Sequence, residues 1–317
     1  MRTKCLVVGL GNIGMLYDYN TNSNDTLSHC NAISRHKNFE LIGGVEKSKK
    51  LRSQFFKKYK KPTFSKISNY IKDLKPELIV IATPTNTHLL IIKKILDIYE
   101  PKIIICEKPM DSSYKNAKKI YDLCKKSKIN LFVNYMRQSD KSTSVIREII
   151  KKESNKHSLK AIVWYSKDFM TNCSHFINLI ENWFGELKNI KEISKKIADK
   201  KKNFYSIDFV AFYKNANVVF SFSPDKKKEL NSIEIITSNL RLNYQDGGKE
   251  IYYTRFKNTD QKKGETKTKR YIKNQLDQYQ YNVYNEISNF LNGKKYLLCN
   301  GKEALQTARY LSLIKNG

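Results

Sequence analysis

The stretch CLVVGLGNIG, residues 5–14, decides the fold that this sequence predicts. Its apolar first half predicts a short buried strand, which glycines follow at positions 9, 11 and 14. In a first strand–turn–helix unit, the first glycine permits the tight turn, the second lets the backbone approach a pyrophosphate, and the third lets helix and strand pack closely. The N–H groups at the start of the helix then face the phosphates. A plain glycine-rich loop is the alternative. The residues predicted to bind a dinucleotide here are Gly9, Gly11, Asn12, Ile13 and Gly14.

Apolar runs alternate with helical patterns from this stretch to about residue 136. Further strands are predicted at residues 39–45, 78–82, 103–106 and 131–134, and helices at 48–59, 88–98 and 113–127. Such alternation is typical of right-handed crossovers and of a parallel sheet covered on both faces. The fold class is therefore predicted to be α/β, with a doubly wound Rossmann domain over residues 1–136.

The pattern changes in the rest of the chain, where strands follow one another with few long helices between them. Strands are predicted at residues 160–165, 203–213, 216–222, 232–237, 240–244 and 250–256, and helices at 174–183, 275–292 and 302–315. Consecutive strands joined by turns predict a largely antiparallel sheet. We therefore expect residues 137–317 to form a second domain of the α+β class, to which the family resemblance given below assigns substrate binding and oligomerisation.

The charge of the chain raises the question of nucleic-acid binding. The formal net charge is +29, but 50 of the 59 basic residues are lysines. Bidentate recognition of base edges and phosphates favours arginine. The lysines are spread along a chain rich in Asn, Ile and Tyr, as an AT-rich coding sequence would produce. We expect no nucleic-acid partner, although a positive field should attract small anionic substrates.

The six cysteines and the hydropathy of the chain bear on its location. None of the cysteines forms a C-x-x-C pair, which disfavours a zinc ribbon and gives no sign of a metal site. Scattered thiols fit a reducing compartment. No apolar run approaches the length that crosses a bilayer. A cytoplasmic protein without a membrane partner is expected.

Glu46 follows the second predicted strand, where an acidic residue would accept hydrogen bonds from the adenosine ribose. This favours NAD over NADP, whose 2′-phosphate would be repelled. The 32-residue spacing from Gly14 exceeds the usual value of about 20, which predicts an inserted loop around residues 17–27. Lys47 and Arg52 stand close enough to neutralise a phosphate, so NADP stays an alternative.

Polar residues follow the third and fourth predicted strands, whose carboxyl ends should border a ligand crevice. Lys108, next to Pro109, could hydrogen-bond a substrate hydroxyl or stabilise an oxyanion, and an ordinary solvated lysine is the alternative. The hydroxyl and amide groups after the third strand could line the dinucleotide. The further cofactor contacts predicted at these two strand ends are Thr83, Pro84, Thr85, Asn86, His88, Glu107 and Lys108.

His175 and Asn178 lie one helical turn apart and therefore share a face. Histidine is the side chain best suited to take or give a proton near neutral pH. A lone histidine is more often structural or merely exposed, so a role for His175 in catalysis needs further support.

Four segments together resemble, in order, the signatures of the Gfo/Idh/MocA oxidoreductases, a family named after glucose-fructose oxidoreductase, inositol dehydrogenase and a rhizopine-catabolism protein. They are GLGNIG (9–14), ATPTNTH (82–88), EKP (107–109) and SHFIN (174–178). The resemblance covers about residues 1–185, and the remainder fits in pattern only. It implies a nicotinamide cofactor with the substrate bound over it, and an open sheet that often mediates oligomerisation, here into a homodimer or homotetramer.

The resemblance also implies roles for single residues. Lys108 matches the catalytic lysine of the family, and His175 matches its catalytic histidine. Many members place an aspartate four residues before that histidine, where this chain has Thr171; the adjacent Asn172 could supply the missing hydrogen bond. Contacts proposed for the substrate are Arg137, Tyr165, Lys167 and Asn178.

The function that the resemblance implies is hydride transfer between NAD or NADP and a secondary alcohol of a sugar. Residues 132–137 and 163–167 look similar to members associated with bacterial surface-polysaccharide or nucleotide-sugar pathways. A sugar, phosphosugar or nucleotide sugar is therefore the expected substrate. The alternative is a non-catalytic regulator of the same architecture that only binds the dinucleotide.

Overall fold

The computed structural model describes residues 2–20, 25–155, 157–199, 204–224, 229–256 and 269–316. The chain divides into two compact units, which are Met1–Ser139 with Asp277–Arg309, and Asp140–Leu276 with Tyr310–Gly317. Residues 277–309 thus lie in the first unit, whereas the predicted division into 1–136 and 137–317 assigns them to the second domain. The reason is packing: Val283, Tyr284 and Ile287 are buried in the core of the first unit.

A parallel sheet forms the centre of the first unit. Its strands are β1 (Thr3–Val8), β2 (Phe39–Val45), β3 (Thr63–Phe64), β4 (Leu78–Ile81), β5 (Ile103–Cys106) and β6 (Asn130–Val133). In the part of the chain that the structure describes, these six strands lie in the order β3-β2-β1-β4-β5-β6. This is the strand order of the Rossmann fold, and the predicted doubly wound sheet is confirmed.

Helices enclose both faces of this sheet. They are α1 (His29–Arg35), α2 (Lys49–Tyr59), α3 (Tyr70–Leu74), α4 (His88–Leu96) and α5 (Tyr114–Lys126). The chain returns to this unit with α8 (Tyr279–Leu291) and with α9 (Gly301–Asn316) as far as Arg309. These two helices join different apolar clusters, one on each face of the sheet. Alternate strand residues enter two different apolar clusters, as Val7 and Leu6 do on β1. Burial on both faces explains why these strands are continuous apolar runs in the sequence.

The second unit contains a mixed sheet. Its strands are β7 (Leu159–Tyr165), β8 (Asn189–Asp199), β9 (Phe204–Tyr213), β10 (Ala216–Phe222), β11 (Ser232–Ile236), β12 (Leu240–Gln245), β13 (Glu250–Arg255) and β14 (Lys269–Tyr271). Among the described residues their order is β14-β13-β12-β11-β7-β10-β9-β8. Strands β7 and β10 pair in parallel and the other neighbours pair antiparallel. The predicted largely antiparallel sheet is confirmed.

Two helices precede and follow β7 in the second unit: α6 (Lys141–Ser154) and α7 (Ser174–Phe184). Side chains of α7 such as Phe176 join Val163 and Phe209 in one buried cluster, so one face of the sheet carries the core. The opposite face bears the half-buried side chains of Ile162 and Val219, which are paired across β7 and β10. Neither α6 nor β8 was predicted from the sequence.

Among the helices of the described residues, none combines the length and the apolar character that crossing a membrane requires.

Candidate active site

The glycine turn after β1 fits the approach of a phosphate. Gly9 has a φ of +96°, and a Cβ placed on it would lie 2.5 Å from the carbonyl oxygen of Ala82. A Cβ on Gly14 would lie 2.1 Å from the carbonyl oxygen of Gly9. A Cβ on Gly11, by contrast, would meet nothing within 4 Å. The first and third glycines therefore serve packing, and the second borders open space of the kind that a pyrophosphate requires. At the same turn Asn12 is exposed and Ile13 is half-buried.

The helix that follows this turn is interrupted by an insertion. A first turn, in which the N–H of Met15 donates to the carbonyl oxygen of Gly11, leads into a short 3-10 helix (Leu16–Asp18), after which the chain departs. It returns at His29, whose N–H donates to the carbonyl oxygen of Ile13 at 3.0 Å, while the N–H of Cys30 donates to that of Gly14 at 3.0 Å. Helix α1 thus continues the first turn as if the segment between were absent, and His29 takes the helical position of Tyr17. The hydrogen bonds at its two ends agree with the predicted inserted loop, of which residues 21–24 lie outside the described residues.

A buried carboxylate fastens the two ends of the insertion together. Asp18 is 1% exposed and accepts hydrogen bonds from the N–H groups of Leu27 at 2.7 Å and Ser28 at 3.0 Å. The side-chain amide of Asn31 donates to the same carboxylate at 2.8 Å. These donors compensate the burial of the charge, and they hold the two described ends of the insertion together.

Glu46 stands at the end of β2 beside the glycine turn. One of its carboxylate oxygens accepts a hydrogen bond from the N–H of Leu10 at 3.0 Å, and the other from the N–H of Ser48 at 2.9 Å. Each oxygen keeps a further lone pair for a ribose hydroxyl. The guanidinium of Arg52 donates to the carbonyl oxygens of Glu46 and Lys47, at 2.7 Å each. Arg52 therefore supports this loop instead of standing free for a 2′-phosphate.

The ends of β1, β4 and β5 lie side by side. The N–H of Ala82 donates to the carbonyl oxygen of Val8 at 2.7 Å, and that of Glu107 donates to Ile81 at 2.9 Å. This register places the glycine turn, the segment after β4 and Lys108 along the carboxyl edge of the sheet. Lys108 is half-buried there and is joined to Pro109 by a cis peptide bond. In the segment after β4, Thr83 and Thr85 are half-buried, and Pro84 and Asn86 are exposed.

His88 requires a correction to the sequence prediction. Its side chain is fully buried, with one ring nitrogen 2.9 Å from the carbonyl oxygen of Thr83 and the other 3.1 Å from that of Met110. The ring therefore joins the segments after β4 and β5 and has no surface left for a dinucleotide.

A ring of buried side chains at the same edge was not recognised in the sequence. The Nε2 of His29 lies 2.9 Å from Oε1 of Glu107, and the side-chain amide of Asn134 donates to the same oxygen at 2.5 Å. Asn134 also donates to Oε1 of Gln280 at 3.1 Å, and Nε2 of Gln280 lies 2.8 Å from Nδ1 of His29. The four side chains thus form a closed cycle. No local spacing in the sequence identifies His29, because the inserted loop separates it from the glycine turn.

Glu107, for which a cofactor contact is predicted, supplies the negative charge of this ring. It is 8% exposed, and its second carboxylate oxygen lies 3.3 Å from the backbone nitrogen of Lys108. Burial alone would raise the pKa of Glu107, but the interaction with His29, the hydrogen bond from Asn134 and the charge of Lys108 outweigh it and lower the pKa. The carboxylate is therefore ionised at neutral pH.

In the second unit, the predicted histidine and its neighbour lie at the start of α7. His175 and Asn178 are both buried. Asn172 precedes them in the turn Phe169–Cys173, and its side-chain amide donates to the carbonyl oxygen of Ser166 at 2.8 Å and to Oδ1 of Asn231 at 3.0 Å. These bonds direct the amide nitrogen of Asn172 to the segment after β7. Thr171 is exposed.

The predicted substrate contacts differ in accessibility. Tyr165 is fully buried, and its hydroxyl group hydrogen-bonds the carbonyl oxygen and the N–H of Ile207, both at 2.8 Å. It is therefore a structural residue of the second unit, which corrects the sequence prediction. Lys167 has an exposed side chain that pairs with Glu229 at 2.7 Å. Arg137 is half-buried in the first unit.

Residues 3–135 match a family described as the oxidoreductase family with an NAD-binding Rossmann fold. Two uncharacterized oxidoreductases of Schizosaccharomyces pombe are 30% and 31% identical to this chain over 87 residues. The matched segment makes up 27% of this chain and spans 23% of the length of those relatives.

Solved structures match the whole chain in fold. The WlbA dehydrogenase of Bordetella pertussis, in complex with NADH and UDP-GlcNAcA, is 15% identical with a TM-score of 0.78, and the match covers 99% of this chain and 95% of that one. The UDP-N-acetylglucosamine 3-dehydrogenase GnnA of Acidithiobacillus ferrooxidans is 9% identical, with a TM-score of 0.76 and coverage of 100% and 97%. An Agrobacterium radiobacter oxidoreductase, in complex with NAD+, L-tartaric acid and magnesium, is 13% identical, with a TM-score of 0.78 and coverage of 100% and 96%.

At these identities the likeness shows a shared fold. The family match says that residues 3–135 are similar to the NAD-binding Rossmann fold of that oxidoreductase family.

Proposed function

We propose that this protein transfers a hydride between a nicotinamide dinucleotide and a secondary alcohol of a sugar nucleotide. The observation that carries the proposal is the position of Lys108, half-buried at the edge of the sheet that also bears the open glycine turn. Two proteins of the same fold are crystallised with, or named for, UDP-linked amino sugars. A cationic side chain beside a dinucleotide cradle is the arrangement that such a reaction uses.

The cofactor is held by the residues of the glycine turn and of the neighbouring strand ends. The open space at Gly11 accepts the pyrophosphate, and Glu46 accepts hydrogen bonds from the adenosine ribose. Because Arg52 is bonded to the main chain of its own loop, the site favours NAD. When bound, the nicotinamide supplies or accepts the hydride.

Lys108 and His175 have different roles at the reacting oxygen. Lys108 donates a hydrogen bond to that oxygen and stabilises the negative charge that develops on it. His175 takes the hydroxyl proton in the oxidative direction and returns it in the reductive direction. Lys108 belongs to the first unit and His175 to the second.

The substrate is proposed to be anionic. Arg137 and Lys167 are the cationic side chains assigned to a diphosphate or carboxylate of the substrate, and Asn178 to a sugar hydroxyl. The net charge of +29 increases the local concentration of such ligands at low ionic strength.

The experiment for this proposal is a scan of sugar nucleotides with NAD+ and with NADP+, followed at the absorbance band of the reduced nicotinamide. UDP-N-acetylglucosamine and its uronic acid are the first probes. We expect turnover with at least one UDP- or TDP-linked sugar and a lower KM for NAD+ than for NADP+. Binding of NADH without turnover of any sugar nucleotide would instead indicate a regulatory dinucleotide-binding protein.

We further propose that the face of the second sheet that bears Ile162 and Val219 joins two copies of the chain. The substitution Val219→Glu places a charge at the centre of β10 on this face and is expected to reduce the mass found by light scattering to that of one chain. Leu90→Glu is the matched control, since Leu90 is 55% exposed on α4. Equal masses for the wild type and the Val219 variant would refute the assignment.

A further inference from the structure

The hydrogen-bond donors around His29 determine which of its ring nitrogens carries the hydrogen. Nδ1 faces the hydroxyl group of Tyr284 at 3.0 Å and the side-chain nitrogen of Gln280 at 2.8 Å. Both groups can donate, so Nδ1 accepts, and the hydrogen sits on Nε2. Nε2 then donates to Glu107 at 2.9 Å. Each ring nitrogen of His29 thereby has a matching hydrogen-bond partner.

Three N–H groups converge on the Glu107 carboxylate as a result. They belong to the side chains of His29 and Asn134 and to the backbone of Lys108. A carboxylate with several such donors is stable as an anion even when buried. The three donors come from α1 and from the ends of β5 and β6. Gln280 on α8 holds the side chains of His29 and Asn134, so four parts of the first unit fix the anion.

Three acidic groups that interact with Glu107 have raised pKa values and add no charge at neutral pH. Burial raises the pKa of the Cys106 thiol, and the nearby Glu107 charge raises it further. Burial likewise raises the pKa of Tyr279 and of Tyr284, and negative charges that include Glu107 add to the effect. The positive charge of Lys108 lowers the pKa of Glu107, so the two charges interact.

We propose that Glu107, fixed by His29, Asn134 and Gln280, is a positioning residue that holds the main chain of Lys108 and keeps its ammonium group charged. This inference rests on the proposed function, in which Lys108 acts on the reacting oxygen. His29 has no contact with substrate in this account and acts only through Glu107. The inserted loop matters because it returns the chain so that His29 occupies the helical position facing the carboxylate.

The test measures the protonation of Lys108 directly and needs no substrate. The full-length protein is labelled with acetic anhydride at a series of pH values, and mass spectrometry of the Lys108 peptide reports the reactive, unprotonated fraction. Glu107→Gln is expected to lower the pH of half-maximal labelling by about one unit, because a neighbouring negative charge is lost. Lys102, an exposed lysine in the same preparation, should label identically in both proteins.

Two substitutions of His29 test the ring without altering Glu107. His29→Leu removes a donor from the carboxylate and is expected to shift labelling of Lys108 in the same direction as Glu107→Gln, but less. His29→Gln keeps an N–H donor and should restore the wild-type midpoint. A double variant, His29→Leu with Glu107→Gln, should shift no further than Glu107→Gln alone.

A residue that only supports the fold would lower the melting temperature without moving the labelling midpoint of Lys108. An unchanged midpoint in both Glu107→Gln and His29→Leu would therefore overturn the inference, as would equal shifts in His29→Leu and His29→Gln. Turnover by the wild type without any labelling shift in the variants refutes this inference alone. A labelling shift in a protein that turns over no sugar nucleotide refutes the proposed function alone.

Discussion

Replacing Lys108 by methionine is expected to lower kcat for sugar-nucleotide oxidation about 1000-fold, as removal of a donor to a developing oxyanion typically does. Methionine has a similar length and apolar stem but cannot donate a hydrogen bond. The loss should therefore fall on kcat, while the affinity for NADH, measured by fluorescence titration, changes less than about twofold.

The matched control is Lys102→Met. Lys102 lies one residue before β5 and is exposed, with its ammonium group 2.8 Å from Glu77. Exposed ion pairs contribute little, so turnover should be unchanged. Equal turnover in the Lys108 variant and in this control would contradict the catalytic assignment.

The second large effect is expected for Gly14→Ala. The new Cβ would lie 2.1 Å from the carbonyl oxygen of Gly9, a backbone atom that cannot move aside without displacing the turn. We expect a loss of about 3 kcal/mol in the free energy of unfolding of the first unit. NADH binding should fall with it. Urea denaturation followed by circular dichroism, with and without NADH, measures both.

Gly11→Ala separates cofactor binding from packing. A Cβ at this position meets nothing within 4 Å in the protein, so stability in the absence of cofactor should change by less than about 0.5 kcal/mol. The same methyl group would obstruct a pyrophosphate, and the dissociation constant of NADH should rise at least about tenfold. Unchanged NADH affinity would show that the phosphates do not approach this glycine.

The architecture could be predicted from the sequence, because strands buried on both faces and strands buried on one face have different apolar patterns. Four-residue runs such as residues 78–81 and 103–106 are buried on both faces, and nothing but a covered parallel sheet accommodates them. In the second unit, alternating burial along residues 159–165 marks a sheet with one covered face. Helix α6 was missed because its half-exposed pattern lies in a polar stretch.

His29 could not be found from local spacing, because an insertion separates it from the glycine turn. The hydrogen bonds to Ile13 and Gly14 that restore the helix join residues 16 positions apart. Only the three-dimensional path of the chain shows that His29 lies in the helical turn after Gly14, at the position of Tyr17. The same applies to Gln280, which is far from Glu107 in sequence and is placed beside it by the packing of α8.

Tyr165 and His88 illustrate why polar residue types near strand ends do not by themselves identify ligand contacts. Both were predicted to face a ligand, and both are fully buried with backbone groups as partners. Carbonyl oxygens compensate the burial of these side chains as well as a ligand would. Which partner a buried polar group finds depends on tertiary packing, which the sequence pattern does not contain.

Transfer of deuterium tests the central claim most directly. Sugar nucleotides deuterated at their ring carbons are incubated with the protein and NAD+, and the reduced dinucleotide is analysed by mass spectrometry. The account predicts deuterium in the reduced dinucleotide with the wild type, and a loss of about 1000-fold in its rate of appearance with Lys108→Met. Absence of deuterium transfer from every sugar nucleotide, in a protein that binds NADH, would contradict it.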